Sequence, residues 1–153
     1  MNTFELKKTP YSTTRIDYPD SYSIVLGTQS SFRRGVFDTI HQNYSTITAD
    51  IDEKAIRYPI PQDLVFHLAE AKSKALQSNV SQNTLLITCD QVVVYNDSIR
   101  EKPVDEYEAR QFISSYSNSS LQIISSVYVF NSNNHKHSGT VDITTITISF
   151  YLY

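Results

Sequence analysis

The chain has 153 residues, enough for one domain with a core of its own. Hydrophobic residues make up 40% and charged residues 19%, the balance of a globular protein rather than a disordered one. Thirteen Lys and Arg against sixteen Asp and Glu leave a net charge of -3, which argues against a nucleic-acid-binding protein but leaves room for a small anionic ligand in a locally basic cleft.

Met1 to Asp20 reads as a polar extension broken by Pro10 and Pro19, with no apolar core of signal-peptide type, and residues 21–153 as the domain. Tyr22 to Leu26 is a short β-prone run ended by Gly27. Phe32, Val36, Phe37 and Ile40 then recur at helical spacing, predicting a helix from about Phe32 to His41 with Ser30 or Ser31 as its N-cap. Tyr44 to Thr48 predicts a second strand, followed by the acidic run Asp50-Ile51-Asp52-Glu53. After Pro59 and Pro61, an apolar face from Leu64 to Leu76 marks a helix reaching about Ser78. Thr84 to Cys89 and Val92 to Tyr95 are two β-prone runs, and Asn96-Asp97 suggests a hairpin from Val92 to Glu101. A helix over Glu106 to Tyr116, a strand over Leu121 to Phe130, a loop from Asn131 to Gly139 and a last strand over Thr140 to Tyr153 complete the order. The pattern predicts an α/β domain, a mixed β-sheet flanked by helices.

No run approaches the roughly 18 apolar residues of a membrane span. Cys89 stands alone, so no internal disulfide can form, and the expected setting is the reducing cytoplasm, with no membrane association. The unpaired final strand offers an edge on which a second copy could add, a route to a homodimer.

Three places could carry chemistry. The turn from Gly27 through Ser30 and Ser31 enters a helix bearing Arg33 and Arg34. Free amides and fixed cations there suit a phosphate, although Ser-Ser also serves as a plain cap. Asp90, expected at the end of the strand Thr84 to Cys89, is either a turn residue or a carboxylate able to hold a metal or accept a proton. Asp50, Asp52 and Glu53 offer hard oxygen donors, or simply cap the next segment. Lys72 and Lys74 sit two apart on a helix, so at most one faces a cleft; Lys102 is held extended by Pro103. His135 and His137 lack a partner cluster, and Cys89 lacks a base, so neither metal binding nor thiol chemistry is expected of them.

In type and order these residues resemble the Maf family of nucleotide pyrophosphatases. Leu26-Gly27-Thr28-Gln29-Ser30-Ser31-Phe32-Arg33-Arg34 is similar to the family's L-A-S-x-S-x-x-R motif, and Asp50-Ile51-Asp52-Glu53 to its D-[IV]-[DE]-E. Leu68-Ala69-Glu70-Ala71-Lys72-Ser73-Lys74-Ala75, Asp90-Gln91-Val92-Val93 and Glu101-Lys102-Pro103 follow as further family motifs. The resemblance implies hydrolysis of a nucleoside triphosphate to a monophosphate and pyrophosphate with Mg²⁺ or Mn²⁺. Asp90 would be the proton acceptor, Glu53 and Asp90 the metal ligands, and Ser30, Arg33, Arg34, Lys72 and Lys102 the phosphate-binding set. Phe32 and Gln91 look like the 7-methyl-GTP branch rather than the dTTP/UTP branch, with a ring that could stack on a methylated base. Relative to the family pattern the chain ends at Tyr153, before a small-residue A-G motif and a closing helix. The expectation is thus a C-terminally shortened domain, with a catalytically impaired nucleotide-binding protein as the alternative.

Overall fold

A computed structural model describes residues 22–149. The expected extension over 1–20 and the last residues of the expected final strand lie outside the described residues. The elements are β1 (Ser23–Gly27), α1 (Ser31–Asp38), β2 (Tyr44–Ile47), a 3₁₀ turn (Glu53–Ala55), α2 (Pro61–Leu76), a second 3₁₀ turn (Gln77–Asn79), β3 (Thr84–Tyr95), β4 (Ser98–Arg100), α3 (Glu106–Ser115), β5 (Ser119–Asn131) and β6 (His137–Ile148).

The sheet runs β2-β1-β3-β5-β6, with β4 also on β3. β1 pairs in parallel with β2 and β3, while β3, β5 and β6 form an antiparallel meander. The mixed α/β architecture expected from the element order is therefore present. Two expected features differ. The runs on either side of Asp90 form one continuous strand, because β5 pairs with β3 from Leu85 to Val94 without a break. Asp90 is thus inside a strand instead of at its end. The loop before the last strand is also shorter than Asn131 to Gly139, since Phe130 already pairs with His137. The hairpin holds: Asn96 and Asp97 both have positive φ, 47° and 57°, the left-handed pair that a two-residue turn between twisted strands requires.

α2 covers one face of the sheet. Leu64, Val65 and Leu68 pack on Val92 and Ile124, and Leu76 packs with Val25, Leu86 and Phe130. Two hydroxyls lock the helix in place. Thr88 Oγ1 donates to Ala69 O at 2.7 Å, and Ser126 Oγ donates to Val65 O at 2.6 Å, one helical turn away. α1 lies on the opposite face, where Phe37 and Asp38 meet Tyr44 of β2. It buries none of its side chains, and Phe32, Val36 and Ile40 remain exposed.

Close approach of α2 depends on small residues beneath it. A Cβ on Gly27 would stand 2.7 Å from Thr88 Cγ2 and 2.9 Å from Leu76 Cδ1. Gly27→Ala is accordingly expected to cost about 1–3 kcal/mol, the usual penalty for forcing an extra methyl into a packed core, with urea denaturation as the measure.

Candidate active site

β1 and β4 share one edge of β3. β1 lies against Thr84 to Thr88 and β4 against Val93 to Tyr95, while β5 takes the other edge. Between Thr88 and Val93 no strand of the described residues flanks that edge. Asp90 stands at this gap, just past the carboxyl end of β1, where open α/β sheets place their clefts.

Side chains alternate along β3, so Asp90 faces α2 together with Thr88 and Val92. On α2, the Cα–Cβ bonds lean toward the helix N-terminus, and the long stem of Lys72 reaches back to the carboxylate. Its Nζ lies 2.5 Å from Asp90 Oδ1 and 3.1 Å from Glu53 Oε1. Asp90 and Lys72 are buried, at 7% and 8% exposure, whereas the Glu53 side chain is about half exposed. Lys74, two positions on, turns outward to pair with Glu70 at 2.9 Å. The helix thus sends one lysine to the Asp90 carboxylate and one to the surface, as its spacing requires.

Glu53 arrives from the segment between β2 and α2. Asp52 caps the 3₁₀ turn there by accepting from Lys54 N at 3.1 Å, which leaves Glu53 as the member of the acidic run that reaches the pair. Asp50 is exposed. Arg57 ties this segment to the far side of the gap: its Nη1 donates to Glu53 O at 3.4 Å and lies 3.3 Å from Glu101 Oε1. Lys102, next to Glu101, is exposed in the segment between β4 and α3.

At the end of β1, buried Thr28 accepts from Ser30 N through Oγ1 at 3.1 Å, and Ser30 caps α1 by accepting from Arg33 N at 3.3 Å. Arg33 is near enough to act electrostatically on both Asp90 and Cys89. Arg34 instead reaches back to Gln29 O at 3.0 Å and braces the turn. Phe32 is 77% exposed in the first turn of α1. Gln91 follows Asp90 and so points to the other face of the sheet, where Ser125 Oγ donates to its Oε1 at 3.4 Å. The two histidines set aside in the sequence meet rings: His137 stacks on Tyr128, and His135 lies against Phe130. Cys89 has its thiol pushed up chiefly by burial, the direction of an inert sulfur.

Arg33, Glu53, Lys72 and Asp90 therefore share one neighbourhood, with Ser30 capping the helix that carries Arg33. Arg34 and Gln91 are engaged elsewhere. Arg57 and Thr88 help build the site without any sequence signal of their own; their neighbours become visible only when the sheet is assembled.

Burial raises the Asp90 carboxyl above its ordinary range, with the Glu53 carboxylate adding to the rise; the Lys72 ammonium and Arg33 oppose it. Desolvation wins. Because the folded protein holds this proton where the unfolded chain has lost it, stability falls as pH climbs from the ordinary carboxylate value through the raised one. Lys72→Met removes the largest opposing influence, so Asp90 should titrate higher still. Carboxyl ¹³C NMR of the two proteins provides the comparison, and an unchanged or lower value would contradict this account.

The family pattern described as Maf-like protein matches residues 23–151. A 7-methyl-GTP pyrophosphatase of Idiomarina loihiensis is 37% identical over 109 residues, covering 71% of this chain and 55% of that protein. A 7-methyl-GTP pyrophosphatase of Dictyostelium discoideum is 33% identical over 132 residues, covering 82% and 67%. A nucleoside triphosphate pyrophosphatase of Chlamydia muridarum is 31% identical, covering 68% and 54%. The chain thus spans roughly half to two thirds of the length of these curated relatives. Among solved structures, the Ham1 protein of Staphylococcus aureus shares the fold at a TM-score of 0.50 and 13% identity, covering 80% of this chain and 70% of that one. With the pattern spanning all but the ends of the sequence, the chain belongs to the Maf-like protein family.

Proposed function

We propose that this protein hydrolyses a nucleoside triphosphate between its α- and β-phosphates, releasing a nucleoside monophosphate and pyrophosphate. The observation that carries the reading is the buried Lys72–Asp90 pair beside Glu53, at the carboxyl end of the parallel strands. Names borne by the relatives, 7-methyl-GTP pyrophosphatase and nucleoside triphosphate pyrophosphatase, support the same reaction class.

Asp90 accepts the proton of a water that attacks the α-phosphorus. The new P–O bond forms as the bond to the bridging oxygen breaks, and the electron pair leaves with pyrophosphate. A buried carboxylate suits this task, because burial strengthens it as a base while the Lys72 ammonium favours its ionised form. Ser30 and the amides of the first turn of α1 orient phosphate oxygens, and Arg33, Lys72 and Lys102 neutralise charge gathering on the leaving group.

The donor set also fits a divalent cation. Glu53 and Asp90 already converge on one positive group, the Lys72 ammonium, and Mg²⁺ or Mn²⁺ takes one or two carboxylates beside substrate phosphates. Glu53 and Asp90 would hold it, and it would supply charge neutralisation to the triphosphate. The exposure of Phe32 in the first turn of α1 supports a stacking role for its ring on a base, with 7-methyl-GTP the first substrate to try.

Pyrophosphate release should be measured with Mg²⁺ on 7-methyl-GTP, dTTP, UTP and CTP. Turnover of at least one is expected, falling about 10²- to 10⁴-fold in Asp90→Asn with circular dichroism unchanged, the usual loss when a general base is removed. Thermal stabilisation by nucleotide without release from any of the four would identify a binding protein instead.

A further inference from the structure

The guanidinium of Arg100, the last residue of β4, is enclosed by three aromatic rings. Its central carbon lies 4.5 Å from the Tyr95 ring centre, 4.6 Å from Phe112 and 5.0 Å from Tyr116. Nη1 donates to Ser115 Oγ at 2.6 Å, Tyr95 OH donates to Ser115 O at 2.6 Å, and the Tyr95 and Tyr116 rings meet edge to face. Two of these rings and Ser115 belong to the carboxyl end of α3 and the residue after it, and Tyr95 ends β3. No side chain of α3 is buried, so this cluster, not a hydrophobic core, fastens the helix to the β3–β4 hairpin. Arginine suits the place. It is always charged, its flat face stacks on rings, and its fork still donates from the edge.

The segment from Glu101 to Asp105 is therefore fixed at both ends. Arg100 holds one end, and the cap of α3 holds the other, where Asp105 accepts from Glu108 N at 2.8 Å and Glu108 accepts from Val104 N at 2.7 Å. Near the start of this span, Glu101 meets Arg57, which also donates to the backbone of Glu53. Lys102 follows directly, an exposed cation beside the gap with no hydrogen bond or ion pair among the described residues.

We propose that Arg100 is a positioning residue: by clamping α3 to the hairpin, it holds Lys102 where its ammonium meets the terminal phosphates of a bound nucleoside triphosphate. The inference rests on the phosphate site assigned above, but not on turnover. Arg100 itself stays in its aromatic box, and its influence passes through the span it anchors. Without the clamp, Lys102 must be ordered at the moment of binding, which weakens affinity.

The test is a double-mutant cycle on the full chain with Arg100→Met, Lys102→Ala and the double variant. It reads the dissociation constant of an α,β-methylene nucleoside triphosphate with Mg²⁺ by calorimetry, and KM and kcat where turnover exists. Arg100→Met should weaken binding about tenfold and raise KM in step, a size in keeping with one enclosed cation, and kcat should fall in Arg100→Met and Lys102→Ala alike, because Lys102 also meets the charge gathering on the leaving group. In the Lys102→Ala background the same substitution should change affinity less than about twofold, because the residue through which it acts is already gone. Arg100→Lys, which keeps the charge but not the flat fork, should fall between wild type and Arg100→Met.

Equal losses in both backgrounds would mean a general structural role and would overturn the proposal. So would unchanged affinity in Arg100→Met, an unfolded Arg100→Lys variant, or a wild-type chain that does not bind the analogue. Binding that follows the cycle in a protein that never releases pyrophosphate would sink the hydrolytic reading alone.

Discussion

A charged pair between a helix and a sheet is the constraint around which the rest of the structure is arranged. Asp90 and Lys72 are both buried, and neither charge could be tolerated there without the other. The pairing demands that α2 lie close over β3 with a defined rotation. Thr88 and Ser126 meet that demand by donating hydroxyl hydrogens to carbonyls of successive turns of the helix, and Gly27 meets it by presenting no side chain to Leu76. The apolar contacts of Leu64, Val65 and Leu68 supply the attraction, while the polar contacts fix the position.

The sheet contributes a second arrangement. A strand of ordinary length would end near Thr88, with β1. β3 continues, gains β4 as a new neighbour, and leaves an interval in which its edge is open. Among the described residues that interval is unpaired on one side while β5 holds the strand from the other. Around the opening stand the turn after β1, the 3₁₀ turn carrying Glu53, and the span carrying Lys102. Each comes from a different part of the chain, which is how α/β folds assemble convergent polar groups.

Much of this was legible in the sequence. Periodicity found the helices and most strands, and Asn96-Asp97 announced the hairpin, because each signal is local. The unbroken course of β3 was not legible, since Asp90 and Gln91 look like a strand end until β5 is known to pair through them. Ser30 was one of two candidate caps; the hydrogen bond to Arg33 N decides it. Helical spacing separates Lys72 from Lys74 without assigning either; the family resemblance picks Lys72, the one that meets Asp90 while Lys74 pairs with Glu70. Arg57 and Arg100 carried no signal. The partner of Arg57, Glu101, lies 44 residues away, and those of Arg100 are divided between the end of β3 and the end of a helix that buries no side chain.

The tight seating of α2 has a chemical meaning as well as a mechanical one. Burial raises the Asp90 carboxyl above its ordinary range, and the same close seating of α2 leaves no room for a side chain at Gly27 beneath Leu76. The proton affinity of this carboxylate is thus tied to how a helix packs on a sheet, through residues that do not touch it.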